Sequence, residues 1–167
     1  AVNIRTAPLK PTYLRFEGAG GQHGYAYANL SGAVTSGRFS LLAAGSYRRS
    51  DGYRHNTDFA NYNAFVRATY EAPRAGFFDL QAGYQNRTFG SNGFYAAYNP
   101  DQWEATSTAL ASLRWLKQAG RFSFGASASY RKNFDRYDWT RGTAMNRHNT
   151  DNVGARLWAD YDWRAGT

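Results

Sequence analysis

The stretch FSFGASASY, residues 122–130, decides the fold, because apolar and polar side chains alternate strictly along it. One set of alternate positions holds aromatic rings at both ends and alanine in the middle, whereas the other set holds only serine and glycine. A period of two is the signature of a β-strand, whose side chains point alternately to the two faces of a sheet, and helical spacing does not produce it. The stretch therefore predicts a strand with one apolar and one polar face.

The same alternation recurs in both directions along the chain. It is seen in FSLLAAGSY (39–47), YNAFVRATY (62–70), FDLQAGY (78–84) and VGARLWADYDW (153–163). On these apolar faces aromatic rings again flank small or aliphatic residues, as in the order Tyr-Ala-Val-Ala-Tyr of residues 62–70. This order is typical of a membrane-spanning strand, because amphipathic rings are most stable at the two bilayer interfaces.

The opposite face would be a poor core for a water-soluble protein. It would place five arginines in a closed apolar interior, at several kcal/mol for each unpaired charge. A water-filled or plugged lumen removes that cost. The polar face that we expect to line this lumen or to contact a plug comprises Arg67, Asp79, Gln81, Gln85, Arg87, Arg114, Arg131, Arg156 and Asp160.

The lengths of the connections support the membrane interpretation independently. Short links are predicted at 36–37, 73–76, 118–120 and 164–166, and longer ones between them at 51–58, 91–103 and 135–149. Short periplasmic turns and long extracellular loops alternate in this way in bacterial outer-membrane barrels. The prediction is an antiparallel up-and-down meander of eight transmembrane strands, roughly at 11–19, 24–35, 38–50, 59–72, 77–90, 104–117, 121–134 and 150–163.

Composition argues against several other classes of protein. The chain has no cysteine, so a disulfide framework and a thiol nucleophile are excluded. Its net charge is +8, but the basic residues are dispersed along the chain, which disfavours a nucleic-acid-binding surface. The three histidines, His23, His55 and His148, fall in separate predicted loops without metal-ligand spacing, and no GxSxG motif occurs. We therefore expect no catalytic residues, no metal site and no cofactor.

Two architectures accommodate eight such strands. One is a small closed barrel with a structural or adhesive role, and the other is the first part of a large receptor barrel. The segments AVNIRT (1–6), GYQNRTFGSNGFYAAYNPDQWE (83–104) and MNRHNTDNVGARLWADYDW (145–163) resemble TonB-dependent outer-membrane receptors. The similarity is greatest to the cobalamin and siderophore receptors of Bacteroidota-like bacteria.

That resemblance carries specific expectations. Residues 1–7 would be the end of a plug domain and its junction, and residues 8–167 the first part of a barrel of 22 strands in a bacterial outer membrane. The expected function is energy-coupled uptake of a scarce solute, such as a metal–siderophore complex or cobalamin. The expected partners are outer-membrane lipid, the protein's own plug and, through the plug, the inner-membrane energy-coupling complex. The segment Arg164–Thr167 reads as a turn towards a ninth strand, so we expect these strands alone to aggregate.

Two predicted extracellular loops carry the candidate ligand-binding residues. They combine aromatic rings with arginine and asparagine, which suits the capture of a flat, anionic or metal-chelated solute. Packing of the loops against one another is the alternative role for the same rings. The candidates are Asn92, Phe94, Tyr95, Tyr98, Trp103, Arg136, Tyr137 and Trp139.

Overall fold

The structure, a computed structural model, describes residues 12–163 but not the side chains of residues 144 and 145. The described chain forms one eight-stranded antiparallel sheet with the strands in sequence order. The strands are β1 (Tyr13–Gly20), β2 (Ala26–Ser36), β3 (Phe39–Ser50), β4 (Phe59–Ala72), β5 (Gly76–Gly90), β6 (Trp103–Ala119), β7 (Phe122–Asp138) and β8 (Ala144–Tyr161). A helix able to cross a membrane is not found within residues 12–163.

The connections fall into two groups at opposite ends of the strands. Loops 21–25, 51–58, 91–102 and 139–143 lie at one end, which we call the loop end. Turns 37–38, 73–75 and 120–121 lie at the other, which we call the turn end. The predicted separation of long and short connections is therefore confirmed for the described residues, and the predicted turn at 164–166 lies outside them, as does the proposed plug segment 1–7.

The eight strands are confirmed, but the prediction for the third long loop was wrong. β7 continues to Asp138 and β8 begins at Ala144, so the predicted loop 135–149 is reduced to residues 139–143. Arg136 and Tyr137 consequently lie on β7, and Trp103 is the first residue of β6 rather than part of a loop. The apolar alternation that marks these strands fades after residue 130, whereas backbone pairing continues through polar residues.

The sheet is open within the described chain. β1 pairs only with β2 and β8 only with β7, so Tyr13–Glu17 form no ladder with Arg156–Asp160. That ladder would have closed a barrel of eight strands. The up-and-down meander is therefore shown, whereas its insertion into a membrane and its place in a larger barrel remain proposals.

The strand register divides the side chains into two faces as predicted, because residues directly opposite one another on paired strands project to the same side. One face, the apolar face, includes Tyr62, Val66, Leu80, Leu113, Ala126 and Leu157. The other, the polar face, carries Arg67, Arg87 and Arg131. Trp163 follows the end of β8, and its ring centroid lies 6.0 Å from that of Tyr161 on the apolar face.

Burial is inverted relative to a water-soluble sheet. Within residues 12–163, Ala33 is the only buried apolar side chain, whereas Leu14 and Leu157 are 79% and 84% exposed. The buried side chains are instead polar, and include Arg67 and Asp79 on the polar face. A sheet with this distribution has no apolar core of its own, so its apolar face requires an apolar surrounding.

Candidate functional site

An aromatic row crosses the apolar face near the turn end. Phe39, Tyr70, Phe78 and Trp115 are direct cross-strand neighbours on four consecutive strands, β3 to β6. The indole N–H of Trp115 donates a hydrogen bond to the carbonyl oxygen of Ala75, at 2.7 Å, in the neighbouring turn. The ring is thereby fixed with its apolar body on the sheet and its polar atom towards the turn, the orientation that tryptophan takes at a membrane interface.

A second group of rings lies on the same face towards the loop end. Tyr47 and Tyr62 are direct partners on β3 and β4, with ring centroids 4.6 Å apart. Tyr84 on β5 and Tyr130 on β7 continue the group across the sheet. The apolar face therefore has an aromatic boundary at both ends.

The surface between the two aromatic boundaries is uncharged. One register row runs from β2 to β8 through Val34, Leu41, Ala68, Leu80, Leu113, Ala128 and Ala155. The boundaries are eight residues apart on β4, which corresponds to about 26 Å along a strand at about 3.3 Å per residue. With the usual tilt of barrel strands the band is about 20 Å high, close to the apolar band of outer-membrane barrels.

The polar face is organised around a buried ion pair. The guanidinium of Arg67 donates to both carboxylate oxygens of Asp79, at 2.9 and 2.7 Å. The side chains are only 11% and 6% exposed. Gln81 also donates to the Asp79 carboxylate, at 3.3 Å. These contacts compensate the cost of placing two charges away from bulk water.

The remaining polar-face residues predicted from the sequence lie on the same side of the sheet as this pair. Gln85 donates to the Asn63 side chain at 2.8 Å, and Arg87 lies 3.9 Å from the Glu104 carboxylate. The other three arginines predicted for the polar face are Arg114, Arg131 and Arg156, and within residues 12–163 no carboxylate lies within 4.0 Å of any of them. Asp160 also lies on the polar face.

The loops at the loop end fold into one cluster around a fully buried glutamine. The Gln102 side chain donates to the Tyr137 hydroxyl at 2.9 Å and accepts from the backbone amides of Tyr95 and Ala96 at 3.2 and 3.4 Å. Asn99, also buried, donates to the carbonyl of Trp139 at 2.7 Å. Buried amide groups satisfied in this way fix the loop backbone, so the cluster is preorganised.

Ion pairs connect the loops across the cluster. Arg141 binds both carboxylate oxygens of Asp58, at 2.6 and 2.9 Å, and the His55 ring lies 2.6 Å from the Asp101 carboxylate. The hydrogen bond from Arg141 and its positive charge hold the pKa of Asp58 below its ordinary value, against the opposing effect of desolvation. Each pair joins two different loops, which restricts their relative movement.

The cluster presents an aromatic patch to solvent. Phe94 and Tyr98 are 78% and 82% exposed, and the Tyr98 ring lies 5.9 Å from that of Trp139. Tyr95 contacts the rings of Phe94 and Tyr137 edge-on. We call these five residues the aromatic patch.

Tyr95 also shows on which side of the sheet the patch lies. Its hydroxyl donates to the carboxylate of Glu104, and Glu104 and Tyr137 are direct partners on the polar face. Burial and this hydrogen bond raise the pKa of Tyr95 to about 12, so the phenol stays protonated and can keep donating. Loop 91–102 therefore folds over the polar face.

The eight candidate ligand residues do not form a single site. Five make up the aromatic patch, but Asn92 donates its amide to the carbonyl of His55 and thereby holds two loops together. Trp103 and Arg136 lie on the apolar side of the sheet, with the Arg136 guanidinium 5.2 Å from the Trp103 ring centroid. The burial of the Asn99 and Gln102 side chains was not predicted, because buried amides have no distinguishing signal in a polar loop sequence.

Within residues 12–163, no group of three or more histidine, aspartate or glutamate side chains is placed to hold a metal ion. Comparison with known proteins finds no matching family model, no similar curated protein and no similar solved structure. The functional interpretation therefore rests on the residues and their geometry.

Proposed function

We propose that this chain forms part of the barrel wall of a TonB-dependent outer-membrane receptor that takes up a scarce solute, such as a metal–siderophore complex or cobalamin. In this proposal the apolar face contacts outer-membrane lipid. The polar face lines the lumen and contacts the receptor's own plug, through which the inner-membrane energy-coupling complex acts. The aromatic patch takes part in capturing the solute at the cell surface.

The observation that carries the proposal is the exposed apolar face between two aromatic boundaries. A leucine or phenylalanine side chain left in water rather than buried forgoes about 1.5–3 kcal/mol, and this face carries many such side chains. Lipid removes that penalty without a second protein layer. The height of about 20 Å between the boundaries supports a bilayer in preference to a packed protein domain.

The polar face supports a hydrated or plugged lumen. It combines the buried pair of Arg67 and Asp79 with three arginines that have no carboxylate within 4.0 Å among the described residues. Isolated guanidinium groups are tolerated beside water or beside an acidic partner, but not inside a dry apolar core. The open order of the eight strands disfavours the alternative of a closed barrel with a structural or adhesive role.

The loop cluster supports recognition of a solute. Its backbone is held by buried amides and by ion pairs between loops, yet Phe94 and Tyr98 remain largely exposed. Rigid exposed rings offer contact area at little conformational cost, which suits a large flat ligand. Their position above the polar face would place a captured solute at the mouth of the lumen.

The proposed function is tested by measuring uptake in the bacterium that makes the protein. Cells carrying the intact gene are compared with cells carrying Phe94→Ala and Tyr98→Ala together, using radiolabelled cobalamin and radiolabelled ferric siderophores. We expect the double variant to weaken surface binding of one of these solutes by about tenfold, as loss of aromatic anchors does. Disruption of the energy-coupling complex should abolish uptake while leaving surface binding intact.

Tyr53→Ala is the matched control. Tyr53 is 71% exposed in loop 51–58 and lies outside the aromatic patch, so its removal should leave binding unchanged. Uptake of neither solute class, or equal uptake with and without the energy-coupling complex, would contradict the proposed function.

A further inference from the structure

A cleft on the polar face near the turn end is not used by the proposed function. Its volume is about 480 Å³, and its walls include Glu71, Phe77, Leu116, Gln118 and Trp158. This size lies within the usual range of small-molecule sites, about 300–1,000 Å³. Phe77, Leu116 and Trp158 supply apolar side chains to these walls, whereas Glu71 and Gln118 are polar.

The apolar wall of the cleft follows from the strand register. Phe77, Leu116, Gly125 and Trp158 form one row of direct cross-strand partners on β5 to β8. A Cβ atom at Gly125 would overlap the indole of Trp158, so the ring lies across the glycine backbone. Glycine at position 125 therefore lets the indole lie flat and form a platform.

The adjacent row supplies positive charge. Arg114, Ser127 and Arg156 are direct partners on β6, β7 and β8, two residues nearer the loop end on each strand. The guanidinium carbons of Arg114 and Arg156 lie 6.0 and 5.3 Å from the centre of the Trp158 ring. Two cations thus flank one aromatic platform.

These two guanidinium groups are available to an external anion. Asp79 is the direct cross-strand neighbour of Arg114, but its carboxylate is bound at both oxygens by Arg67. No carboxylate within the described chain, that of Asp79 included, comes within 4.0 Å of either Arg114 or Arg156. Both arginines are exposed, whereas Trp158 is half-buried.

We propose that the cleft and the two arginines beside it bind a small aromatic anion, with the aromatic body in the cleft against Trp158 and Leu116 and the carboxylate or phenolate beyond the cleft wall, between Arg114 and Arg156. Guanidinium groups bind planar anions through paired hydrogen bonds, and an indole face stacks on a flat ring. An aliphatic anion would use only the charges, and a neutral aromatic compound would use only the platform. The pair of guanidinium groups and the indole platform together favour a ligand that has both an anionic group and an aromatic ring.

The test measures binding of naphthoate to the purified protein in detergent by equilibrium dialysis. Naphthalenemethanol serves as the neutral isostere and acetate as the aliphatic anion. We expect naphthoate to bind at least about tenfold more tightly than either, since a charge-assisted hydrogen bond contributes about that factor. Replacement of both arginines, Arg114→Ala with Arg156→Ala, should reduce naphthoate binding to the level of the neutral isostere.

Arg48→Ala is the matched control. Arg48 lies on the polar face of β3, a strand that contributes no wall to the cleft, and its guanidinium carbon lies 5.0 Å from the Tyr27 ring centre rather than beside Trp158. Its replacement should leave naphthoate binding unchanged. Gly125→Ala should weaken naphthoate binding with both arginines present, because the new methyl group displaces the indole.

Three results would overturn the inference. They are equal binding of naphthoate and its neutral isostere, unchanged binding in the double arginine variant, and equal losses in that variant and in Arg48→Ala. None of these results bears on energy-coupled uptake, so the inference can fail while the proposed function stands.

Discussion

Val66 lies midway between the two aromatic boundaries on β4, four residues from Tyr62 and four from Tyr70. At about 3.3 Å per residue and with the usual strand tilt, its side chain is about 10 Å from either boundary. In a bilayer this position is close to the midplane. An arginine on the lipid face at that depth destabilises a barrel by about 2–4 kcal/mol. We therefore expect Val66→Arg to lower the folding equilibrium constant by about 30-fold to about 1,000-fold.

The assay is urea-induced unfolding of the protein in phospholipid vesicles, followed by tryptophan fluorescence. Thr69→Arg is the matched control, because Thr69 is on the polar face of the same strand and directly opposite Asp79. It should change the free energy of unfolding by less than about 1 kcal/mol, as a lumen substitution does. Equal losses for the two variants, or a loss below about 0.5 kcal/mol for Val66→Arg, would refute the assignment of the apolar face to lipid.

Two further predictions concern ion pairs. Asp79→Ala removes the carboxylate that pairs with the nearly buried Arg67, so it should lower the free energy of unfolding by about 3–5 kcal/mol in the same assay. The double variant Arg67→Met with Asp79→Leu should recover most of this loss, because it leaves no buried charge unpaired. An equal loss in the single and the double variant would contradict this prediction. The pKa of Asp58 is lower in the folded protein than its ordinary value of 3.8. The pair with Arg141 therefore stabilises the folded loops at pH values above 3.8, and this stabilisation is lost as the pH falls through the lower, folded-state pKa. Hydrogen exchange of loop 51–58 should therefore accelerate, beyond the intrinsic effect of pH, below about pH 4, and Asp58→Asn should remove this step; an identical step in that variant would show that another group is responsible.

The strands and their faces could be predicted because one physical signal controls both. A strand with one apolar and one polar face must alternate apolar and polar residues. Stretches such as 62–70 and 122–130 therefore indicate that a strand forms, which of its residues face the apolar side, and where that apolar surface ends. The signal ends where the apolar surface ends. Residues 135–138 and 144–149 pair as strands through mainly polar side chains, whereas the sequence pattern predicted a loop there.

The candidate site was less predictable, because loop geometry depends on contacts between distant segments. The aromatic rings of residues 94–98 are conspicuous in the sequence, but nothing local shows that Gln102 is fully buried beneath them. The cleft beside Trp158 depends on four strands in register, with glycine at position 125. Its walls include Glu71 and Trp158, which are 87 residues apart, and only the pairing of the strands brings them together.

Accessibility of spin labels along β4 tests most directly whether the apolar face contacts lipid. The chain has no native cysteine, so single cysteines can be placed at each position from 62 to 70 and labelled with a nitroxide in reconstituted vesicles. Labels at positions 64, 66 and 68, which lie between the aromatic boundaries, should collide with dissolved oxygen and be shielded from a water-soluble nickel chelate, and labels at the odd positions should show the reverse. Equal accessibility at odd and even positions, or contact of positions 64, 66 and 68 with the nickel chelate, would contradict a lipid-facing apolar surface.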